Sequence, residues 1–342
     1  MAFATASNIT SLDAFISSFV AFAVANAGFT NESSITINGG ANNLYRISKT
    51  VDTIKTYWWF TDDDITSDNV FSATRVLGRM MHVLPTEANM ETLGDGQRYP
   101  SAMGIWDTSP NYTGSAFFTD GLSVFTLLEV TSGVFAHFSF GHITKASVFD
   151  GGAYVVGNNF QAVSGKASWR NIVDGSHNSS SMVFGGRANL GNSTIKAPGY
   201  VQFNLGGSDN KDFTKFGGED HSSDGAEVGA SGTIPPNYNS ALTVNTSLGW
   251  SIWDLMAKNT PSEATFRAPL FPTYIVRNNP ANIFQCQIIG HVPNVTGVNM
   301  KLLNNKDLVN TDWRVFSLAQ KGTDGSSFTP AGEFGIAYRE IP

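Results

Sequence analysis

The sequence predicts a mainly β protein of the α+β type, in which one N-terminal amphipathic helix precedes antiparallel strands and hairpins. The apolar pattern near the N-terminus has the period of a helix, whereas the patterns after it alternate with the period of a strand. Glycine accounts for 34 of the 342 residues, 12% are aromatic and only 14% are charged, which is typical of a compact protein with many tight turns. We therefore expect a β-sandwich-like core with long loops rich in Gly, Asn and Ser.

The first predicted element is a helix that begins near Thr10 and ends before Gly28. Thr10 with Asp13 three residues later fits the start of a helix, and Gly28 suits the position after its last turn. The apolar run inside this segment imitates a signal peptide, but the first basic residue of the chain is Arg46. Because the positive n-region is missing, we expect a mature helix and no signal peptide. The run is also too short to span a membrane.

Short strands are predicted after this helix, beginning with residues 34–39, 43–49 and 53–60. The glycines after Asn38 predict a hairpin between the first two strands. Two further strands are expected over residues 125–140, around the turn at Ser132 and Gly133, and a break in the chain at Gly151-Gly152. Residues 68–81 are the one later stretch whose pattern allows a short helix.

The predicted domain organisation has two parts, with one domain as the alternative. Residues 1–150 would form the helix and an antiparallel β domain, and residues 151–342 a second β-rich domain. Within the second part, residues near 205–235 are polar and rich in glycine, which predicts a long loop.

No combination of residues predicts catalysis or a bound cofactor. Gly165-Lys166 lacks the spacing of a phosphate-binding loop, and no serine has the Gly-x-Ser-x-Gly setting of an esterase nucleophile. The single cysteine, Cys286, excludes an intramolecular disulfide, and its apolar neighbours predict a buried thiol. A net charge of −7 without any basic stretch argues against nucleic-acid binding.

Five groups of residues have a second, chemical interpretation that we considered and did not prefer. His137 and His142 could bind a metal, but their spacing on a strand points them to opposite faces. Two acidic groups are more simply solvated loops than calcium or metal sites. Tryptophan beside aspartate, at two places, could form a sugar-binding platform or a pair of catalytic carboxylates. The first acidic group is Asp62, Asp63 and Asp64, and the second is Glu219, Asp220, His221 and Asp224. The tryptophan–aspartate pairs are Trp106-Asp107 and Trp253-Asp254.

Three blocks of the sequence have distinctive patterns. The first is the opening helix followed by GFT and NLYRI. The second is MGIWDTSPNYTG, continued by LLEVTSGVFAHFSFGHITKASVFDGGAYVVGN. The third combines RAPLFPTYIV, IIGHVPNVTGVNM, DWRVFSLAQKG and GEFGIAYRE near the C-terminus. Together these blocks resemble structural proteins of tailed-bacteriophage particles. The glycine-rich stretch near 205–235 departs from this pattern.

This resemblance implies a non-enzymatic subunit of the tail, baseplate or neck, made in the host cytoplasm and incorporated into the virion. Its partners would be other virion proteins and copies of itself in a ring or other symmetric assembly. A host-surface or glycan-binding module at the tail tip is the alternative, and a cell-wall hydrolase is a third. Such a subunit needs aromatic side chains at its interfaces, for which the candidates are Trp58, Trp59, Phe117, Phe118, Trp313, Phe316 and Tyr338.

Overall fold

The structure is a computed structural model of the chain, and it has one α-helix and mostly antiparallel strands in the part that it describes. The described residues are 2–7, 9–62, 74–90, 101–105, 112–146, 148–157, 162–163, 166–167, 200–204, 213–215, 242–244, 246–247, 250–251, 273–278, 286–299, 312–321 and 328–340. The predicted fold class, mainly β with one N-terminal helix, is confirmed.

The helix, α1, spans Leu12–Asn26. Its N-cap is Ser11, whose hydroxyl oxygen accepts a hydrogen bond from the backbone N–H of Ala14 at 3.1 Å. The predicted start at Thr10 is therefore wrong by one residue. At the other end Gly28 has a φ of 66°, the left-handed conformation that commonly ends a helix. The face that α1 buries carries Leu12, Phe15, Ile16, Phe19, Val20, Phe22 and Ala23.

Polar side chains from one neighbouring strand hold both ends of α1. The hydroxyl of Tyr45 donates to the carboxylate of Asp13 at 2.9 Å, and burial together with this hydrogen bond raises the pKa of Tyr45 to about 12. At the C-terminal end, the ammonium of Lys49 donates to the carbonyl oxygen of Ala27 at 2.6 Å. A cation at this end also interacts favourably with the helix dipole.

The larger sheet has ten strands in the described part of the chain. These are β1 (Ala2–Ser7), β8 (Gly114–Thr119), β9 (Ser123–Thr131), β10 (Val134–His142), β12 (Asp150–Gly157), β15 (Tyr200–Asn204), β16 (Phe213–Lys215), β22 (Val295–Asn299), β23 (Trp313–Lys321) and β24 (Phe328–Arg339). The first seven follow one another in the order β1-β8-β9-β10-β12-β15-β16, all antiparallel. The last three form an antiparallel ribbon that joins β10 through one parallel pairing of β23.

The second sheet contains β2 (Thr30–Asn31), β3 (Ile35–Ile37), β4 (Asn42–Val51), β5 (Ile54–Thr61), β6 (Thr74–Met81) and β7 (Ser101–Ile105). The remaining strands are β11 (Thr144–Lys145), β13 (Ala162–Val163), β14 (Lys166–Ala167), β17 (Leu242–Val244), β18 (Thr246–Ser247), β19 (Trp250–Ser251), β20 (Thr273–Asn278) and β21 (Cys286–Val292). Of these, β11, β21, β20 and β17 form a small sheet, and the other four form two hairpins.

The hairpins predicted from the sequence are confirmed, and two local predictions are wrong. β3 pairs with β4 across the turn at residues 38–40, and β9 pairs with β10 across Ser132 and Gly133. Residues 74–81 form β6 and not part of a helix. Gly151-Gly152 does not break the chain, because both residues lie inside β12 with φ values of 113° and 95° at a register shift. They produce a bulge, which glycine allows at such angles.

The two large sheets pack face to face with α1 against them, and aromatic rings fill the space between. Phe60 on β5 lies 4.7 Å from Phe140 and 5.8 Å from Phe138 on β10, measured between ring centroids. Phe19 of α1 meets Phe60 edge-on at 5.0 Å. The ribbon of β22, β23 and β24 folds over the other face of β8, β9 and β10, where Tyr338 stacks on Phe118 at 5.3 Å.

Strands from both sides of the predicted domain boundary belong to one sheet. The boundary at residue 150 falls on the first residue of β12, and the same sheet contains β1 and β24. The division into two domains stays a prediction. Of the glycine-rich stretch near 205–235, only β16 is described, and the predicted loop otherwise lies outside the described residues.

Candidate functional site

Most of the aromatic residues predicted to form an interface are core residues of this chain. Trp58, Trp59 and Tyr338 have no exposed surface, and Phe117 and Phe118 are buried as well. The interface prediction is corrected for these five, because a fully covered side chain is not available to a partner. Trp313 and Phe316 are partly exposed and therefore remain candidate interface residues.

The two neighbouring tryptophans are buried because they occupy opposite faces of β5. Trp58 points into the core between the sheets, where its ring meets Phe29 at 5.3 Å and its indole N–H donates to the carbonyl oxygen of Tyr154 at 3.0 Å. Trp59 points to the outer face, in a smaller cluster with Leu77. Alternation along a strand therefore places one indole in each core.

The phenylalanine pair on β8 is divided in the same way. Phe117 packs on α1, 5.6 Å from Phe22. Phe118 faces the ribbon, 4.7 Å from Phe3 of β1. Phe316 of β23 lies over Phe118 at 5.8 Å, so it is half-buried and belongs partly to this layer.

A buried hydrogen bond joins the ribbon to the larger sheet. The hydroxyl of Tyr338 lies 2.8 Å from Nδ1 of His137, and the two rings are stacked. Burial raises the pKa of Tyr338 well above its usual value, so this phenol stays protonated. The contact is that of two fully buried core side chains.

The exposed surface with the clearest chemistry lies at the edge of the larger sheet. We call it the edge surface and define it by the outer edge of β1 with Phe3, Thr5, Arg314 and Glu340. The guanidinium of Arg314 lies 4.3 Å from the centre of the Phe3 ring, within reach of a cation–π interaction. Arg314 also forms an ion pair with Glu340. Thr5 is exposed on the same face of β1 as Phe3.

A second polar feature is buried where several turns meet at the end of α1. His142 is 2% exposed, and its ring meets Trp58 edge-on. Neither of its ring nitrogens has a hydrogen-bond partner within the described ranges. Burial, followed by the charges of Lys49 and Lys145, lowers the pKa of His142 to about 3. The ammonium of Lys145 forms an ion pair with the carboxylate of Asp52, with 2.7 Å between Nζ and Oδ2.

The two histidines considered as a metal pair are not brought together. His137 faces the ribbon, whereas His142 faces Trp58 and the core between the sheets. Within the described ranges, no group of three or more His, Cys, Asp or Glu side chains is placed to hold a metal ion. Cys286 begins β21, but its side chain lies outside the description. Also outside it are Asp63, Asp64, Trp106, Asp107, Glu219, Asp220, His221, Asp224, Trp253 and Asp254.

Two features of the structure were not predicted from the sequence. β1 was not predicted, although residues 2–7 alternate alanine with other residues and carry no charge, which is the available signal. The buried position of Arg46 was also missed. Its guanidinium donates to the carbonyl oxygens of Ser33, Pro85 and Glu32 at 2.8, 2.8 and 3.0 Å, and an isolated arginine in a strand gives no sign of such partners.

Comparison with known proteins returned no match, either to protein-family models or to curated proteins. Among the described residues, no helix has the length and apolar character needed to cross a membrane.

Proposed function

We propose that this chain is a structural subunit that acts by assembling with copies of itself and with other proteins, in the tail, baseplate or neck of a tailed-phage particle. The observation that carries the assembly part of the proposal is the edge surface. β1 offers an extended backbone edge without charge, beside the aromatic ring of Phe3. The phage setting comes from the resemblance of the three sequence blocks.

The composition supports the same proposal. Only 14% of the residues are charged, compared with roughly 25% in an average soluble protein. Few charges leave little electrostatic repulsion between neighbouring copies, and interface cores are depleted in charged residues. Trp313 and Phe316 add partly exposed aromatic area on the ribbon.

The polar clusters support assembly better than catalysis. His137 and Tyr338 are fully buried against each other, and His142 is kept neutral by burial. We propose that the chain acts by assembly, without catalysis and without a cofactor.

Labelling of particles tests this proposal. Antibodies against the purified chain would be used to label the tailed-phage particles of the phage that encodes it, with electron microscopy as the readout. We expect labels at a fixed place on the tail, baseplate or neck, and a constant ratio of this chain to the other virion proteins by quantitative mass spectrometry. Intact particles that lack the chain would contradict the proposal.

The glycan-binding alternative gives a different result. Binding of the purified chain to cell-envelope sugars, lost in Trp106→Ala or Trp253→Ala, would favour a host-surface module at the tail tip. Unchanged binding in both variants would remove these two platforms.

A further inference from the structure

We infer that the outer edge of β1 pairs with β1 of a second copy of this chain, antiparallel and across a two-fold axis. This inference rests on the proposed assembly function and names the partner of the edge surface. The edge itself is the first observation. In the described part of the chain, β1 pairs with β8 on one side and with no strand on the other. A row of backbone N–H and C=O groups along that side is thus available to a new strand.

The edge also lacks the features with which proteins prevent such pairing. Natural edge strands are protected by lysine, proline, a bulge or a very short length. β1 has six residues, Ala-Phe-Ala-Thr-Ala-Ser, and its register with β8 runs from Ala2 to Ser7 without a shift. At the far end of the described order of this sheet, β16 has three residues and ends in Lys215. Within the described order from β1 to β16, β1 is thus the longer, regular and uncharged end strand.

The chemistry of the edge selects a β-strand as the occupant, because only another strand pairs with such a ladder along its whole length. A two-fold axis perpendicular to the sheet keeps each side chain on its own face. Residues of the same parity then lie opposite each other, and in the two registers with the longest overlap Thr5 faces either Thr5 or Phe3 of the second copy. Ala2, Ala4 and Ala6 remain on the face that packs on the core between the sheets, and these small side chains leave room for a neighbouring strand.

The charges beside the edge are compatible with a second copy. Arg314 and Glu340 form a neutral pair over Phe3. A second copy brought to this edge by a two-fold axis therefore meets no excess charge of one sign. An edge with charges of one sign would instead repel its own copy. The charge of the edge surface is thus compatible with a two-fold interface, in which the same patch meets itself.

The test uses Thr5→Lys and the matched control Thr36→Lys. Thr5 is exposed on β1, and Thr36 is exposed on β3 in the other large sheet. In either register, Thr5→Lys places two like charges opposite or diagonal to each other across the new strand pair, about 5–8 Å apart. The same substitution at Thr36 adds the same charge away from β1. Because both side chains are exposed, we expect both variants to fold, which circular dichroism and thermal melting would check.

Light scattering coupled to size-exclusion chromatography would give the mass of each protein over a range of concentrations. We expect twice the 36.7 kDa of the chain for the wild type and for Thr36→Lys. For a folded Thr5→Lys variant, we expect a dissociation constant at least tenfold higher. A monomeric wild type, an unchanged constant in Thr5→Lys, or a loss of association in Thr36→Lys of the same size would each overturn the inference.

Incorporation into particles separates this inference from the proposed function. A wild-type chain found in particles together with an unchanged Thr5→Lys dimer would overturn the β1 pairing and leave the structural role standing. A wild-type dimer that Thr5→Lys dissociates, in a chain absent from particles, would support the pairing and contradict the virion role.

Discussion

The imidazole of His142 lies edge-on to the indole of Trp58, with 5.5 Å between ring centroids. Both side chains are almost fully buried, and the indole N–H donates to Tyr154 and not to the histidine. The imidazole is thus enclosed by an aromatic wall with Lys49 and Lys145 as its nearest influential cations. Such surroundings disfavour the protonated ring through desolvation and through like charge.

This environment predicts a loss of stability in acid. The pKa of His142 is lowered from 6.5 to about 3 in the folded chain, so the unfolded chain binds the extra proton between these two values. The contribution of the neutral His142 ring to the free energy of unfolding is complete above pH 6.5 and is lost as the pH falls towards 3. At about 1.4 kcal/mol per unit, it amounts to at most about 5 kcal/mol.

Urea unfolding of the wild type and of His142→Leu, measured from pH 7 to pH 4, checks this prediction. The substitution removes the titrating ring and keeps an apolar side chain against Trp58. Carboxylates also titrate in this pH range, but they are the same in both proteins. The difference in unfolding free energy between the two proteins therefore reports on His142. We expect the wild type to lose more stability than the variant as the pH falls. Equal slopes for the two proteins would contradict the prediction.

Gly78 of β6 lies directly against aromatic rings of both large sheets. A Cβ atom built at this position would lie 2.6 Å from Cζ of Phe138 and 2.9 Å from Cδ1 of Phe60. Both rings are fully buried among other rings, so neither has space to move away. Gly78→Ala is expected to cost about 1–3 kcal/mol of unfolding free energy through overpacking.

Gly114 of β8 provides the matched control for this substitution. A Cβ atom there would meet its nearest neighbours at 3.5 and 3.6 Å, which is ordinary contact. We expect Gly114→Ala to change the unfolding free energy by less than about 1 kcal/mol, because alanine only reduces the freedom of the unfolded chain. Urea unfolding of both variants measures the contrast. Equal effects would show that the sheets do not approach each other as closely at Gly78.

The sequence predicts local structure well where period and turn chemistry agree. The helix and the hairpins at Asn38 and Ser132 each combine an apolar pattern with a capping or turn residue, and all three are confirmed. Gly151-Gly152 misled the prediction, because glycine marks both a break and a bulge, and only the pairing of β12 with β15 distinguishes them.

Interface residues could not be predicted in the same way. Burial of Trp58, Trp59 and Tyr338 depends on which strands cover them, and strands distant in sequence provide that cover. Aromatic content alone does not separate core from surface. The edge position of β1 likewise depends on pairing with β8, more than 100 residues later.

Lys49 is predicted to stabilise the C-terminal end of α1. Its ammonium donates to the carbonyl oxygens of Ala27 and Gly121 and lies 5.0 Å from the centre of the Phe29 ring. Lys49→Met keeps the aliphatic part of the side chain and leaves these two carbonyl groups without this donor. We expect a loss of about 1–3 kcal/mol of unfolding free energy.

Lys55 is the control for Lys49, because its ion pair with Glu32 at 2.8 Å lies at the surface, with 45% of the lysine side chain exposed. Exposed ion pairs contribute little to stability and are screened by salt, so Lys55→Met is expected to have a small effect that shrinks further in salt. Chemical unfolding at low and high ionic strength compares the two variants. A larger effect for Lys55→Met than for Lys49→Met would contradict the proposed role of Lys49.

Tyr338 and His137 connect the C-terminal ribbon to the larger sheet through their 2.8 Å hydrogen bond. Tyr338→Phe keeps the ring that stacks on Phe118 and removes only the hydroxyl. We expect a loss of about 1–2 kcal/mol of unfolding free energy, typical of a buried hydrogen bond. A double-mutant cycle with His137→Leu, measured by urea unfolding, isolates the pair and should give a coupling of about 0.5–1.5 kcal/mol. Strictly additive effects would show that the hydroxyl of Tyr338 does not contribute through His137.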